Sequence, residues 1–308
     1  MIRYFRKTDK TRLRHPTKYE PGTWVYAENP KLEEIEKLIH ELKLDGGHLA
    51  DAQDADEMPR LEREDDQLYF FTRQPFTDDE LHLETTPVLF VIAPKFLLTL
   101  TNRPLSRLEK FTEEKLTFNT SQPERLVLII MAEMLDQYDL YLNQVSRQIK
   151  GIRSRLRNSE INNRDFVDFA LVEDELNEVL AALTPTAAIL RRLMVNKHLK
   201  LTQDDNEVVE DLILASEQLI ESAKSSTKSI VNIREVYSAI MTNNLNRIIR
   251  VLTVLTVLLS ILTFIAGLYG MNVTLPFGMH EHAFSIILGV SLVIIMTLLF
   301  FFRRNRWL

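Results

Sequence analysis

Hydrophobic and polar positions alternate in three different ways along the chain. Up to about residue 120 the period is mainly that of strands, with one helical stretch. Thr23 to Glu28 and Gln67 to Arg73 read as strands. Pro87 to Thr101 is apolar on both faces, with Val88, Phe90 and Ile92 on one and Leu89 and Val91 on the other. Phe96-Leu97-Leu98-Thr99-Leu100 follows Pro94-Lys95 in the same run. Such a run predicts a strand covered on both sides. Pro30 to Leu44 instead carries Leu32, Ile35, Leu38, Ile39 and Leu42 at helical spacing. This part predicts an α/β or α+β domain.

Near Pro123 the period becomes helical. Glu124 to about Asn158 and Asn163 to about His198 each predict a helix. A third begins near Asp204, with Thr202 or Asp204 as its cap. No Pro or Gly interrupts Asp205 to Ala266, so one helix is predicted from there to Gly270. At 1.5 Å per residue that is roughly 100 Å, the length of a stalk. An ordinary break before the apolar region is the alternative.

In the third regime polarity nearly disappears. Val251 to Gly270 and Ala283 to Phe302 are apolar runs of about 20 residues, each about 30 Å as a helix and long enough to cross a bilayer. Buried core helices are the competing reading. Arg247 and Arg250 precede the first run, and Arg303, Arg304 and Arg306 follow the second, while Met271 to His282 has no Lys or Arg. The positive-inside rule then places both termini in the cytoplasm and the connection outside. The expected domains are an α/β domain at 1–120, a helical stalk at 121–245 and a transmembrane hairpin at 246–308. Its spans cover about 251–270 and 283–302, with the outer loop at 271–282. The expected location is a cell (inner or plasma) membrane, multi-pass.

Composition sharpens this picture. The 308 residues carry a net charge of −6, which argues against a nucleic-acid partner. The mean hydropathy of −0.09 is that of a soluble protein, yet residues 251–302 hold one formal charge, Glu281. There is no cysteine, so disulfides and thiolate metal sites are excluded. The first residues, Met1 to Lys7, have no apolar signal-peptide core. No phosphate-binding Gly-rich loop, nucleophile constellation or metal-ligand helix motif occurs, so no catalytic residue, enzyme activity or organic cofactor is expected.

Within the first span the polar and small residues form one stripe. Thr253, Thr256, Ser260, Thr263 and Gly267 follow each other by steps of 3, 4, 3 and 4, and the same rhythm runs back through Ile249, Asn246, Thr242 and Ala239 to Glu235. Two readings are open. Small and hydroxyl residues at this spacing let membrane helices pack closely. They also suit a water-filled path, where hydroxyls hydrogen-bond hydrated ions. Two spans cannot enclose such a path, so the second reading requires a homo-oligomer.

The first span ends on Tyr269-Gly270-Met271-Asn272. A Gly-Met-Asn triplet there, preceded by Leu262-Thr263-Phe264-Ile265-Ala266-Gly267 and followed by a second span with an Arg303 to Leu308 basic tail, resembles the signature of the CorA-type magnesium channel family. The close resemblance covers about residues 237–308; before that only the architecture matches.

The resemblance implies a homopentameric funnel in a lipid bilayer that admits divalent cations, chiefly Mg²⁺, with Co²⁺ and Ni²⁺ next. It implies a selectivity filter at Gly270, Met271 and Asn272. A ring of neutral amide oxygens there would select Mg²⁺ through its tightly held water shell. Gly270 would allow the turn after the helix; as a lone signal, Asn272 reads as a helix C-cap. Gly267, Thr263, Ser260 and Thr256 would line the pore. Leu252 and Ile249 would form a hydrophobic constriction, with Asn246 a polar ring below it. Members often have Met where Ser260 stands. They also carry a Met-Pro-Glu-Leu run in the outer loop, replaced here by Val273 to His282. There His280 and His282 flank Glu281, a pattern that suits transition metals or is an incidental polar loop.

Acids crowd the start of the long helix: Asp204, Asp205, Glu207, Glu210, Asp211, Glu217 and Glu221. The family implies regulatory Mg²⁺ sites of this kind, with Asp211 a stalk acid and Glu235 a ring acid. A solvated helix face is the plainer reading. Asp78, Asp79 and Glu80 are candidate partner acids. The alternatives to an Mg²⁺ channel are a Zn²⁺ transporter of the same superfamily and a non-conducting, membrane-anchored scaffold.

Overall fold

A computed structural model describes the chain except residues 10, 78–81, 158–163, 197–200, 274–275, 277–281, 306 and 308. It forms two compact units, Met1–Ile233 and Arg234–Leu308.

In the first unit the described strands are β1 (Ile2–Phe5), β2 (Thr23–Glu28), β3 (Arg60–Glu64), β4 (Gln67–Thr77), β5 (Leu83–Ala93) and β6 (Phe96–Thr101). They form one sheet in the order β1-β2-β6-β5-β4-β3. Only β2 and β6 pair in parallel. Ala93 pairs with Phe96, so Pro94-Lys95 is a two-residue hairpin loop.

The helices are α1 (Leu32–Leu42), α2 (Gly46–Asp51), α3 (Leu108–Thr112), α4 (Pro123–Arg157) and α5 (Arg164–Asn196). Ile35, Leu38 and Leu42 of α1 and Leu49 of α2 join Val25, Tyr69, Phe71, Leu89, Val91 and Leu98 in one core. The alternate residues Trp24, Phe70, Val88, Phe90 and Leu97 are equally buried on the other face, where α4 and α5 contact β4 and β5. The burial part of the sequence reading holds, since helices flank the sheet and cover β5 on both sides, but the run read as one strand from Pro87 to Thr101 is two, β5 and β6, divided at Pro94-Lys95. Across it, Thr72 Oγ1 lies 3.1 Å from Thr186 Oγ1, and Tyr138 donates to the Arg73 carbonyl at 3.1 Å. The first helix is shorter than predicted because Lys43, at φ 56°, turns the backbone left-handed.

The long helix is α6 (Gln203–Tyr269), 67 residues without interruption. Its start is chemically defined. Thr202 Oγ1 accepts from the Asp205 N–H at 3.2 Å, and Asp205 Oδ2 accepts from the Thr202 N–H at 3.1 Å, a reciprocal cap. Thr202, not Asp204, is therefore the cap. In the first unit α6 buries Val209, Leu212, Ser216, Leu219, Ala223 and Ile230 at helical spacing.

The second unit holds the end of α6 and α7 (Ala283–Arg304). Both helices are long and apolar enough to cross a membrane, and only 6% of each apolar window is buried within the chain. That exposure removes the core-helix alternative. Phe264 is 66% and Phe284 78% exposed, a burden no water-facing helix carries.

The stripe on the first span and the acids of the long helix

In the first span Val254 is buried, and Val257, Leu258, Ile261 and Ile265 are half-buried. In α7 the matching covered line includes Ile287, Ser291, Ile294 and Leu298. At about 100° per residue, the covered positions of α6 lie within about 60° of Val254, while the polar stripe lies roughly 100–180° away. Thr253, Thr256, Ser260, Thr263 and Gly267 are all exposed, as are Ile249, Leu252 and Asn246. The predicted pore residues thus share one side of the helix, and it is not the side the chain covers. A side chain at Gly267 would meet nothing within 4 Å.

The threonines satisfy themselves in a way that matters. Thr253 Oγ1 donates to the Ile249 carbonyl at 2.8 Å, and Thr256 and Thr263 to Leu252 and Leu259 at 2.9 Å each. A hydroxyl that donates to its own helix leaves its lone pairs turned outward. An outward face of acceptors suits water molecules bound to a cation, whose hydrogens point away from the metal.

At the end of the span the Gly270 N–H donates to Ala266 at 3.0 Å and the Met271 N–H to Leu268 at 3.2 Å. Gly270 has no positive φ, so backbone handedness does not require glycine, contrary to the reason expected from the sequence. Asn272 has no positive φ either and is exposed, and its amide bonds to none of the described residues. It is not a left-handed cap, and Met271 and Val273 are exposed beside it. The Tyr269 hydroxyl donates to the Pro276 carbonyl at 3.3 Å. His282 is the exposed residue preceding α7 and makes no side-chain cap. His280 and Glu281 lie outside the described residues, as do Asp78, Asp79 and Glu80.

The acids of α6 separate into two groups. Asp205 is the buried reciprocal partner of the Thr202 cap and also faces Arg125 at 3.6 Å. Glu217 pairs with Arg191, and Glu221 with Lys224 at 2.8 Å. These three have structural roles. Asp204, Glu207, Glu210 and Asp211 are exposed and unpaired among the described residues, and Glu235 is exposed in the second unit.

Periodicity pointed to none of the buried polar groups in the first unit. Glu133 accepts from Arg107 at 3.0 Å and from Lys110 at 2.6 Å. Burial opposes ionisation there, but these two cations outweigh it and hold the carboxyl below its usual range. Glu175 bonds Tyr141 and the Leu83 N–H, beside a cavity of about 400 Å³ lined by His82, Gln148 and Asp168. Burial and Glu175 push the Tyr141 hydroxyl far up, so it stays a donor.

The family model for the CorA-like Mg2+ transporter protein matches residues 20–304. The chain belongs to this family. A CorA-family relative, the cobalt/magnesium transport protein CorA of Methanocaldococcus jannaschii, is 25% identical over 302 residues, covering 92% of this chain and 91% of its own. The complete structure of the CorA magnesium transporter from the same organism superposes with a TM-score of 0.87 at 21% identity, over 100% of this chain and 99% of that one. The ZntB cytoplasmic domain from Vibrio parahaemolyticus matches at a TM-score of 0.63 and 10% identity, over 78% of this chain and 98% of that one. The CorA architecture of a mixed domain, one long helix and two C-terminal apolar helices is thus this chain's fold.

Proposed function

We propose that the chain assembles as a homopentamer in a cell membrane and conducts divalent cations inward, Mg²⁺ foremost and then Co²⁺ or Ni²⁺. One observation carries this reading: the polar stripe lies opposite the face that the chain covers. Copies packed around an axis would turn that stripe to the centre, where its outward lone pairs receive a hydrated ion. Domain 1–120 and the stalk 121–245 lie in the cytoplasm with both termini, and the hairpin 246–308 spans the bilayer.

Asn272 is the filter, with Gly270 and Met271 shaping the mouth. A neutral amide suits an ion that must keep its water: Mg²⁺ dehydrates reluctantly, and a carboxylate ring would hold it too long. Ions then pass Gly267, Thr263, Ser260 and Thr256. Leu252 and Ile249 gate by excluding water, and Asn246 rewets the path below them. Asp211, unpaired on the exposed face, and Glu235 bind cytoplasmic Mg²⁺, which neutralises facing acids of neighbouring copies and favours closure. The cation is cargo and regulator; no organic cofactor and no catalytic step is involved.

The test is flux into liposomes holding Mg²⁺- and Zn²⁺-sensitive dyes under an inside-negative potential. The intact chain admits Mg²⁺, and Asn272→Ala loses most of that flux. Equal flux from both proteins removes Asn272 as the filter. No flux of either ion leaves a membrane-anchored scaffold. Zn²⁺ flux without Mg²⁺ flux assigns the cargo to the His280-Glu281-His282 loop.

A further inference from the structure

A second cluster of ligands lies in the first unit, where α2 meets β3. Asp45, His48 and Glu64 each bring one ligand atom within 4.8 Å of the others. His48 is 8% exposed, and its Nε2 is buried with no hydrogen-bond partner. Glu62 Oε2 lies 3.7 Å and Glu64 Oε1 3.8 Å from that nitrogen, too far for hydrogen bonds. A buried imidazole nitrogen that two carboxylates approach but do not bond is an unsatisfied group that a bridging ligand would satisfy.

The surroundings hold these groups in place. Asp45 caps α2, accepting from the His48 N–H through Oδ1 at 3.0 Å, and no bond is made by its other oxygen among the described residues. The His48 ring rests on Tyr69, centroids 4.4 Å apart. Tyr69 is itself fixed, accepting from the Asp45 N–H at 2.9 Å and donating to Gln67 at 2.7 Å. Glu62 and Glu64, two apart on β3, share one face of the edge strand. Both carboxylates are about half exposed; Glu62 Oε1 accepts from Arg60 Nε at 2.5 Å, which leaves its Oε2 as the atom that can close on an ion. Ligands around a tetrahedral ion stand roughly 3.3 Å apart, so the 3.7 and 3.8 Å spacings contract by about 0.5 Å and the widest, up to 4.8 Å, by about 1.5 Å.

We infer that Asp45, His48 and Glu64, with Glu62 as a fourth ligand, form a site for a transition-series divalent cation of the Zn²⁺ or Co²⁺ type. The donor set decides the class. Imidazole nitrogen is a good ligand for these ions and a poor one for Mg²⁺, which demands oxygen and keeps its water. The site therefore distinguishes transition ions from Mg²⁺ at a place separate from the stripe and from Asp211. It does not depend on the chain conducting anything.

The experiment uses the full chain, purified in detergent through a histidine-free tag, with His280→Ala and His282→Ala in the background to silence the outer loop. Co²⁺ is added in the presence of millimolar Mg²⁺ and followed by its visible absorption, with Zn²⁺ competition. One equivalent per chain is expected, with the intense bands of low coordination. Exposed Glu64→Gln weakens binding about tenfold and His48→Gln about a hundredfold or more. If buried His48→Gln fails to fold by circular dichroism, Glu64→Gln and Asp45→Asn decide. Absence of Co²⁺ binding, binding unchanged in these variants, or displacement by Mg²⁺ overturns the assignment.

Discussion

Strand β5 and the first span of α6 are both nearly continuous apolar sequence, yet they meet opposite fates. Val88 to Val91 of β5 are fully buried by the helices on either side of the sheet. The apolar window of α6 is 6% buried. The polar groups differ in the same way. In the first unit Glu133 is answered by Arg107 and Lys110 from elsewhere in the fold. In the span, the threonine hydroxyls are answered, among the described residues, only by carbonyls one turn back on their own helix. One region completes itself within the chain. The other presents both its apolar and its polar faces to something outside the chain, which is what the proposed assembly requires of it.

The largest test of this contrast is truncation in each region. Phe90→Ala in β5 should cost about 3–5 kcal/mol, because a filled core is emptied. Phe264→Ala, at a residue 66% exposed, should cost under about 1 kcal/mol in detergent. Denaturant unfolding followed by fluorescence of buried Trp24 measures both. Similar costs would mean that Phe264 is covered as β5 is.

The polar groups give the next test. Glu133→Gln should cost about 2 kcal/mol at neutral pH, as two charged hydrogen bonds are lost. The native carboxyl titrates below its unfolded value. Its contribution is therefore full above the unfolded carboxylate range and lost as pH falls through the native one. The gap between the two proteins should close in acid. A gap constant with pH would show that packing, not charge, explains the loss.

Pattern alone revealed much of this and missed the rest for identifiable reasons. β5, α4, α5 and α6 were legible because long runs of one period leave little ambiguity. β3 was not: Arg60-Leu61-Glu62-Arg63-Glu64 is a charged edge strand, and only its pairing with β4 makes it one. The short α2, with Gly46 and Gly47 in its first turn, has no periodic pattern that would predict it. The stripe was visible in the sequence, but its position opposite the covered face was not, since that depends on which side α6 buries. Likewise the acids of α6 look alike in sequence. Glu217 is set apart from the unpaired acids by Arg191, 26 positions away. His48 and Glu64 meet only because α2 and β3 fold together.

A smaller effect tests the stripe itself. Thr263→Leu should lower Mg²⁺ flux by about tenfold or more, since a bulky apolar side chain there dries the path. Leu262→Phe, one position along and off the stripe, should leave flux within about twofold. Equal losses would remove the face argument, and the proposed path would lose its main support.

The smallest expected effect concerns the opposite end of the same helix. Thr202→Ala removes the hydroxyl that accepts the Asp205 N–H and should cost about 1 kcal/mol. It also leaves Asp205, whose Oδ1 is already buried without a hydrogen bond, with one partner fewer. Hydrogen exchange should therefore quicken in the first turn, Gln203 to Asn206, by about fivefold, with the span amides unchanged. The two ends of α6 are governed by different things: the start by local caps and cover from the first unit, the end by what surrounds Asn272. A Thr202→Ala variant that loosened the span amides as well would show that the helix transmits its state along its length, and a cap would then be part of the gate.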